Sequence, residues 1–257
     1  MEKLAITLFI IILSCSMITG CIGMKKYEWY ASGNAPVLYP TELYSEDFIL
    51  SNNKRLYIPK SIPYASKWGQ TGKTHVLDNN KFPAPAAIDI FWYSWVENKF
   101  YSLKSALPLE RIRNLLEEID EESDEPLYQD IIAGMAPYGG LAVWLSGSGI
   151  TTEVAWLQAE ETIVEMKDFA PTVVYTQNEY WDLVLKGFEK AYENYQKNGL
   201  PDRMLYERYM QKSNYNISFR FEDEDSVFEE IEAIVFKDKY ESYRSPNYIG
   251  PQGGWRY

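Results

Sequence analysis

Residues 85–103 read PAAIDIFWYSWVENKFYSL, and this stretch decides the fold. Alternate residues fall on two faces of an extended strand, and both faces are apolar. One face carries Ile88, Ile90 and Trp92, and the other carries Phe91, Tyr93 and Trp95. Because a strand with two apolar faces must be covered on both sides, we predict a central strand. Glu97-Asn98-Lys99 predicts the turn, and the strand that returns begins at Phe100.

The hairpin pattern recurs downstream. Ile131 to Met135 and Leu141 to Leu145 flank Pro137-Tyr138-Gly139-Gly140, whose glycines supply the positive φ that such turns need. Tyr215 to Phe221 alternates apolar and polar residues, which predicts a half-buried strand. Val154 to Val164 permits a helix or a strand, and we predict a strand.

Two helices are predicted from apolar spacing and from capping signals. Pro108 begins the first, which ends at the acidic run Asp120 to Glu125. Thr176-Gln177-Asn178-Glu179 is a capping box that opens the second, which Asn198-Gly199 and Pro201 close. Hairpins joined by a few helices predict an α+β fold with a mainly antiparallel β-sheet and two or three packing helices.

Composition narrows the class of protein. The chain has 257 residues, of which 46% are hydrophobic and 16% aromatic, so most of it can fold around a core. The formal net charge is −12. This charge argues against nucleic acid and anionic lipid head groups as partners of the body, and it suits a basic protein or a cationic ligand.

The N-terminal sequence predicts a lipid anchor. Leu4 to Leu13 is apolar apart from Thr7, as in the core of a signal peptide. Ile18-Thr19-Gly20-Cys21 then resembles a bacterial lipobox at every position. The resemblance implies that a signal peptidase recognises Ile18, Thr19 and Gly20 and that the Cys21 thiol is acylated. Since each buried methylene adds ~0.8 kcal/mol, more than one acyl chain gives lasting attachment.

Two alternatives to the anchor stay open. One is a signal-anchor helix over Leu4 to Gly23, which is about long enough to span a bilayer. The other is a secreted protein cut near Gly20.

Ile22 follows Cys21 where some lipoproteins carry aspartate. In a Gram-negative host, the resemblance to sorted lipoproteins then implies the outer membrane and a body that faces the periplasm.

The anchor divides the chain into three predicted parts. Residues 1–20 are the signal peptide, residues 21–35 a lipidated tether, and residues 36–257 a single globular domain. Cys15 leaves with the signal peptide and Cys21 carries lipid. The mature body therefore has no disulfide and depends on its core alone.

No motif predicts catalysis, a cofactor or a metal site. Gly69 to Thr74 resembles a phosphate-binding loop only in part, because Lys67 stands where that motif needs its first glycine. His75 is the one histidine, and we interpret it as a solvated loop residue. Because the mature chain would keep only this histidine and the lipidated Cys21, a zinc site with several His or Cys ligands is excluded there. Glu222 to Asp225 lacks the ligand pattern of a calcium loop. We predict a protein that is not an enzyme.

Four strand aromatics are a candidate binding groove for a peptide or a glycan. They are Tyr93, Trp95, Tyr101 and Trp144. Aromatic side chains on strands also build cores, so the alternative is that all four are interior residues.

Several short motifs, in order along the chain, resemble those of one family. They are Tyr39-Pro40, Ile90 to Trp95, Glu97 to Tyr101, Leu107-Pro108, Gly134 to Pro137, Gly140 and Trp144. The resemblance covers roughly Pro36 to Glu160, and the family is one of bacterial lipoproteins catalogued as a domain of unknown function. It implies small anchored envelope proteins without an assigned catalytic residue. Some relatives are encoded beside secreted lipase effectors, an arrangement that suggests immunity proteins.

These observations favour a membrane-anchored, non-catalytic lipoprotein of the cell envelope that binds a protein partner, as an immunity or inhibitor protein does. One alternative is an envelope hydrolase that uses carboxylates or a Ser-Lys pair, which have no spacing signature. A second alternative is a structural lipoprotein of envelope assembly.

Overall fold

The computed structural model describes residues 24–60, 65–74, 80–120, 123–147, 149–209, 232–235 and 241–244. It confirms the predicted α+β class with mainly antiparallel sheet. Among the described residues, none of the helices has the length and apolar character needed to cross a bilayer.

Thirteen strands and five helices are described. The strands are β1 (Tyr27–Glu28), β2 (Tyr30–Asn34), β3 (Thr41–Leu50), β4 (Arg55–Tyr57), β5 (Lys81–Phe82), β6 (Pro85–Ser94), β7 (Lys99–Ala106), β8 (Asp130–Met135), β9 (Gly140–Gly147), β10 (Ile150–Gln158), β11 (Glu160–Thr162), β12 (Glu232–Val235) and β13 (Glu241–Arg244). The helices are α1 (Leu109–Leu116), α2 (Met166–Phe169), α3 (Gln177–Leu185), α4 (Glu189–Asn198) and α5 (Leu205–Tyr209), with one 3₁₀ turn at Pro137–Gly139.

Two sheets build the body. The large sheet has the order β11-β7-β6-β3-β4 and the small sheet the order β10-β9-β8-β2, while β1–β5 and β12–β13 pair separately. The β2–β8 pair is parallel, and the other described pairs are antiparallel. The chain passes from the small sheet to the large sheet at Ala159, whose N–H donates to the Gly139 carbonyl at 2.8 Å. The strand predicted over 154–164 is therefore divided between β10 and the short β11, which lie in different sheets.

The predicted central strand is confirmed as β6, which lies between β3 and β7. Ile90 and Trp92 on one face belong to the core that the two sheets share, and both are 1% exposed or less. Tyr93 and Trp95 on the other face pack in a second cluster with residues of α3 and α4. Because full burial of one large apolar side chain contributes about 1.5–3 kcal/mol, covering both faces of β6 contributes several kcal/mol to core stability.

Two helices differ from the prediction. α1 ends at Leu116, and Ile119 beyond it is 56% exposed. The helix predicted from the capping box to Asn198 is interrupted at Gly187, a residue that costs about 1 kcal/mol in a helix interior. The interruption brings the Phe188 ring to 6.1 Å from the Trp95 ring, centroid to centroid. The capping box itself is present as predicted.

The folded body begins before the predicted boundary at residue 36. Trp29 is fully buried, and β2 pairs with β8 along its whole length. The Asn34 side chain is also buried, and its amide donates to the carbonyls of Lys67 and Gln70 at 2.9 and 2.8 Å. Residues 27–35, at the end of the predicted tether over 21–35, therefore belong to the folded body. A tether was predicted there because parallel pairing with a strand a hundred residues away has no local signature.

The register of β3 with β6 defines two ends of the molecule. Thr41 at the start of β3 pairs with Ser94, and Leu50 at its end pairs with Pro85. The end that contains the turns at residues 95–98 and 136–139 is called the turn end. The end that contains Met24 and the turn at residues 51–54 is called the N-terminal end. A strand of ten residues separates the two ends by about 30 Å.

Candidate functional site

A largely buried carboxylate joins the two sheets at the turn end. Glu97 accepts hydrogen bonds from Ser94 Oγ at 2.7 Å, from Tyr101 OH at 2.9 Å and from the Tyr138 N–H at 2.9 Å. Burial raises the pKa of Glu97, and these three donors oppose the rise. Burial and the neighbouring Glu97 charge also raise the pKa of Tyr101. The carboxylate therefore fixes the β6–β7 turn against the turn between β8 and β9.

Tyr138 holds that second turn in an uncommon backbone conformation. Its φ is +62°, and the other positive-φ residues described are Asn, Asp or Gly. The left-handed region costs about 1–2 kcal/mol for a residue with a Cβ atom. Gly139 has positive φ as predicted, but Tyr138, and not Gly140, takes the second such position. Tyr138 OH donates to the Pro201 carbonyl at 3.0 Å, so the tyrosine ties residues after α4 to the turn.

A shallow polar pocket of about 160 Å³ lies beside Tyr138. Its lining residues are Lys99, Tyr101, Tyr138, Gln158, Ala159, Glu161 and Arg203. Lys99 Nζ lies 2.6 Å from Glu161 Oε2, and the Arg203 guanidinium lies 5.9 Å from the centre of the Tyr138 ring. The pocket wall thus carries both positive and negative side chains, and Lys99 and Glu161 neutralise each other as an ion pair.

α3 is docked across the turn end by polar contacts. Gln177 Nε2 donates to the Asn98 carbonyl at 3.0 Å and to its Oδ1 at 2.9 Å. Asn98 Nδ2 in turn donates to Asn178 Oδ1 at 2.8 Å. Further along the helix, Trp181 Nε1 donates to the Trp95 carbonyl at 2.6 Å. These contacts fix α3 against the β6–β7 turn.

Large apolar side chains are exposed around this docked helix. Ile163 is 93% exposed, Val174 95%, Leu183 57% and Tyr175 48%, and these four residues are called the turn-end surface. Ile163 follows the residue that pairs with Phe100, two residues beyond the β6–β7 turn. Val174 and Tyr175 directly precede the capping box of α3, and Leu183 lies on α3 itself. Residues 160–198 carry eight acidic and four basic side chains, so the surroundings are acidic.

The four aromatics predicted as a groove are interior residues. Tyr93 is 1% exposed, Trp95 0%, Tyr101 4% and Trp144 6%. Trp144 packs edge-on against Trp68 at 4.7 Å, while Tyr93 and Trp95 are covered by the helical layer. The groove prediction is therefore wrong, and the alternative, a core role, is correct. Sequence alternation could not distinguish the two, because both faces of β6 are buried.

Other predicted sites fall outside the described residues. These are Ile18, Thr19, Gly20 and Cys21, then His75, and the acidic run 222–225. Within the described residues, no group of three or more His, Cys, Asp or Glu side chains is placed to hold a metal ion.

Two more acidic side chains, Glu42 and Asp130, are partly buried. Burial raises the pKa of Glu42 and of Asp130. Glu42 lies opposite Tyr93 at the turn end, whereas Asp130 begins β8 and accepts a hydrogen bond from Thr71 Oγ1 at 2.9 Å. Asp130 pairs with Ser146, near the β9–β10 turn at the N-terminal end. Asp130 is therefore far from the other two.

Fold and site together define a two-sheet α+β protein with an exposed apolar surface in acidic surroundings at one end. The chain belongs to the family described as "Protein of unknown function (DUF2931)", whose profile matches residues 16–202. The resemblance to a family catalogued as a domain of unknown function is thereby confirmed. No curated protein and no solved structure matches the chain.

Proposed function

We propose that this protein is a lipoprotein of the cell envelope that is anchored through acyl chains on Cys21 and binds a protein partner without catalysis. In a Gram-negative host it is attached to the outer membrane and faces the periplasm. The partner binds the turn-end surface and presents apolar side chains within a basic rim. An immunity or inhibitor protein acts in this way, since it needs a complementary surface and no reacting group.

One observation carries the binding proposal: Ile163 and Val174 are each more than nine-tenths exposed, and both belong to segments that contact the β6–β7 hairpin. Single exposed apolar residues are ordinary, but four within residues 163–183 around one docked helix are a feature of interaction sites. Covering them would contribute about 25 cal/mol for each Å² of apolar surface removed from water.

Charge supports a basic protein as the partner. The acidic excess in residues 160–198 has the same sign as the net charge of the whole chain, which is −12. A second copy of the chain would bring like charges together, and juxtaposed like charges cost several kcal/mol at an interface. A basic rim on the partner instead accelerates association and selects against acidic competitors.

The buried acids favour binding over hydrolysis. Glu97 is largely buried, and both of its carboxylate oxygens accept hydrogen bonds from protein donors, which favours a structural role at the turn. A pair of catalytic carboxylates must flank one bond at about 5–10 Å. Asp130 is at the opposite end from Glu97, and Glu42 Oε2 is buried away from solvent.

The binding proposal is tested by site-specific photocrosslinking in cells. A photoreactive residue replaces Val174 in one variant and Leu183 in a second, and Ile119, which is 56% exposed against 57% for Leu183, serves as the control at the N-terminal end. We expect both turn-end variants to form an adduct with the same protein, and the Ile119 variant to form none with it. Replacing Glu165 and Asp168 with lysine, which reverses two exposed charges, should reduce the adduct severalfold.

Four outcomes would contradict the proposal. Crosslinks from Val174 and Leu183 to residues of the same chain would show that the chain covers its own surface. Crosslinks to a second copy would show self-association. Unrelated adducts at the two positions, indifferent to charge reversal, would show that no specific partner binds there. A wall component recovered in place of a soluble protein would favour the assembly alternative.

A further inference from the structure

We infer that the body stands end-on at the membrane, with the N-terminal end against the lipid and the turn-end surface about 30 Å further from it. This inference rests on the lipid anchor proposed above. It specifies the partner as a soluble protein that approaches through the aqueous space, and not a lipid-embedded one.

The first step is the position of the chain start. Ser51 Oγ lies 3.1 Å from Met24 Sδ, which places Met24 against the β3–β4 turn. Lys25 Nζ lies 2.8 Å from Glu117 Oε1, and Tyr27 OH donates to the same carboxylate at 2.8 Å. Two separate elements, the β3–β4 turn and the end of α1, therefore hold the start of the described chain at the N-terminal end.

The second step is the reach of the tether. Cys21 and Met24 are three residue steps apart, and an extended chain covers at most about 3.3–3.6 Å per residue. The N-terminal end therefore lies within about 10 Å of the acylated sulfur. Met24 and Ile119 are 44% and 56% exposed at this end, and apolar side chains at head-group depth lose unfavourable contact with water.

The third step is the direction of the body. β3 starts at the turn end and finishes at Leu50, beside the turn that touches Met24. β7 runs in the same direction as β3. It begins with Lys99 at the turn end, and Ala106 at its other end pairs with Ala87 near the start of β6. Strands of eight to ten residues thus separate the two ends in the large sheet. Repulsion between the acidic turn end and anionic lipid acts in the same direction.

The orientation is tested by fluorescence quenching in vesicles. The sequence contains two cysteines, and the mature chain would keep only Cys21, whose sulfur carries lipid. A cysteine introduced by Lys54→Cys or Val174→Cys is thus a single labelling site, and both side chains are exposed. The full-length lipidated protein is placed in phosphatidylethanolamine–phosphatidylglycerol vesicles that contain a head-group nitroxide. Leu183→Cys provides a second label at the turn end.

We expect the label at Lys54 to be quenched several-fold more strongly than the labels at Val174 and Leu183. Equal quenching at the three positions, in protein whose Cys21 acylation is verified by mass, would overturn the orientation and leave the anchor intact. A chain without acyl groups, which fails to bind the vesicles, would overturn the anchor and the orientation together. Stronger quenching at Val174 would place the proposed partner surface on the membrane.

Discussion

The two ends of the molecule are held together by different chemistry. At the N-terminal end the polar contacts include exposed ion pairs, such as Lys25 with Glu117 and Arg55 with Asp47. At the turn end they include part-buried hydrogen bonds around Glu97 and Asn98, beside the exposed pair of Lys99 with Glu161. Exposed pairs contribute little to stability, whereas buried groups are expensive to leave without a partner.

The difference shows that exposure at the turn end is not a sign of loose structure. The two most exposed apolar side chains of the described residues, Val174 and Ile163, belong to segments that contact the β6–β7 hairpin, whose turn Glu97 holds with three hydrogen bonds. A rigid support lowers the entropy lost on binding, which favours the proposed binding of a partner at this surface. The N-terminal end needs no such support, because in this account the lipid holds it in place.

The largest expected effect is at the N-terminal end. Cys21→Ser, expressed behind a signal peptide that is cleaved without acylation, removes the sulfur that would carry lipid, and we expect this protein to leave the membrane fraction completely. Fractionation of cells with detection of the protein checks this. Lys25→Ala, which breaks the exposed Glu117 pair and leaves Cys21, is the control and should stay with the membrane. A membrane-bound Cys21→Ser variant would refute the anchor.

Next in size is the loss of the buried carboxylate at the turn end. Glu97→Ala leaves the donors of Ser94, Tyr101 and Tyr138 without their acceptor, and we expect a loss of about 3 kcal/mol in the free energy of unfolding. Denaturant unfolding of the purified body measures it. The matched control is Glu117→Ala, which removes an exposed carboxylate with two partners at the other end. Equal losses for the two variants would erase the contrast between the ends.

A smaller effect is expected at Tyr138. Tyr138→Phe keeps the ring beside Arg203 and deletes only the hydrogen bond to the Pro201 carbonyl, so we expect a loss of about 1 kcal/mol. Hydrogen exchange should also show faster opening after α4, because the tyrosine ties that segment to the turn. Tyr175→Phe, at an exposed position, serves as control. Unchanged exchange after α4 would mean that Tyr138 does not hold this segment.

The smallest expected effect is at Glu42, where a substitution should raise stability at pH 7, whereas Glu97→Ala and Tyr138→Phe lower it. Burial raises the pKa of Glu42, while the Lys60 charge opposes the rise. The folded state then binds the proton more tightly than the unfolded state, so stability is highest below the unfolded pKa and falls as pH rises through the folded pKa. Glu42→Gln removes this slope, so the melting temperature of the variant should exceed that of the wild type at pH 7. Parallel pH profiles for the two proteins would show that Glu42 is not buried as described.

Local signals predicted much of this fold. The alternation in residues 85–103 identified the central strand, and Thr176 with Glu179 identified the start of a helix. Both features depend only on residues that are close together in the sequence. The parallel β2–β8 pair has no such local signature, so residues 27–35 were predicted as part of a tether. The strand aromatics were misjudged because the sequence cannot tell which apolar face a later helix will cover.

The candidate site was the least predictable part. Val174 lies in the apolar run Val173-Val174-Tyr175, which gives no sign that this residue stays in water. Its exposure follows from the docking of α3 by Gln177 on Asn98, a contact between residues seventy-nine positions apart. Tyr138 was also missed, because the turn beside it contains two glycines that seemed sufficient for the positive φ.

The central claim is that one end of this body is bound covalently to lipid, and mass spectrometry of the protein from its native membrane tests it most directly. We predict a chain that begins at Cys21 and carries acyl groups on that residue. A chain that begins at Met1, or at any residue after Cys21, with no acyl mass would contradict the account.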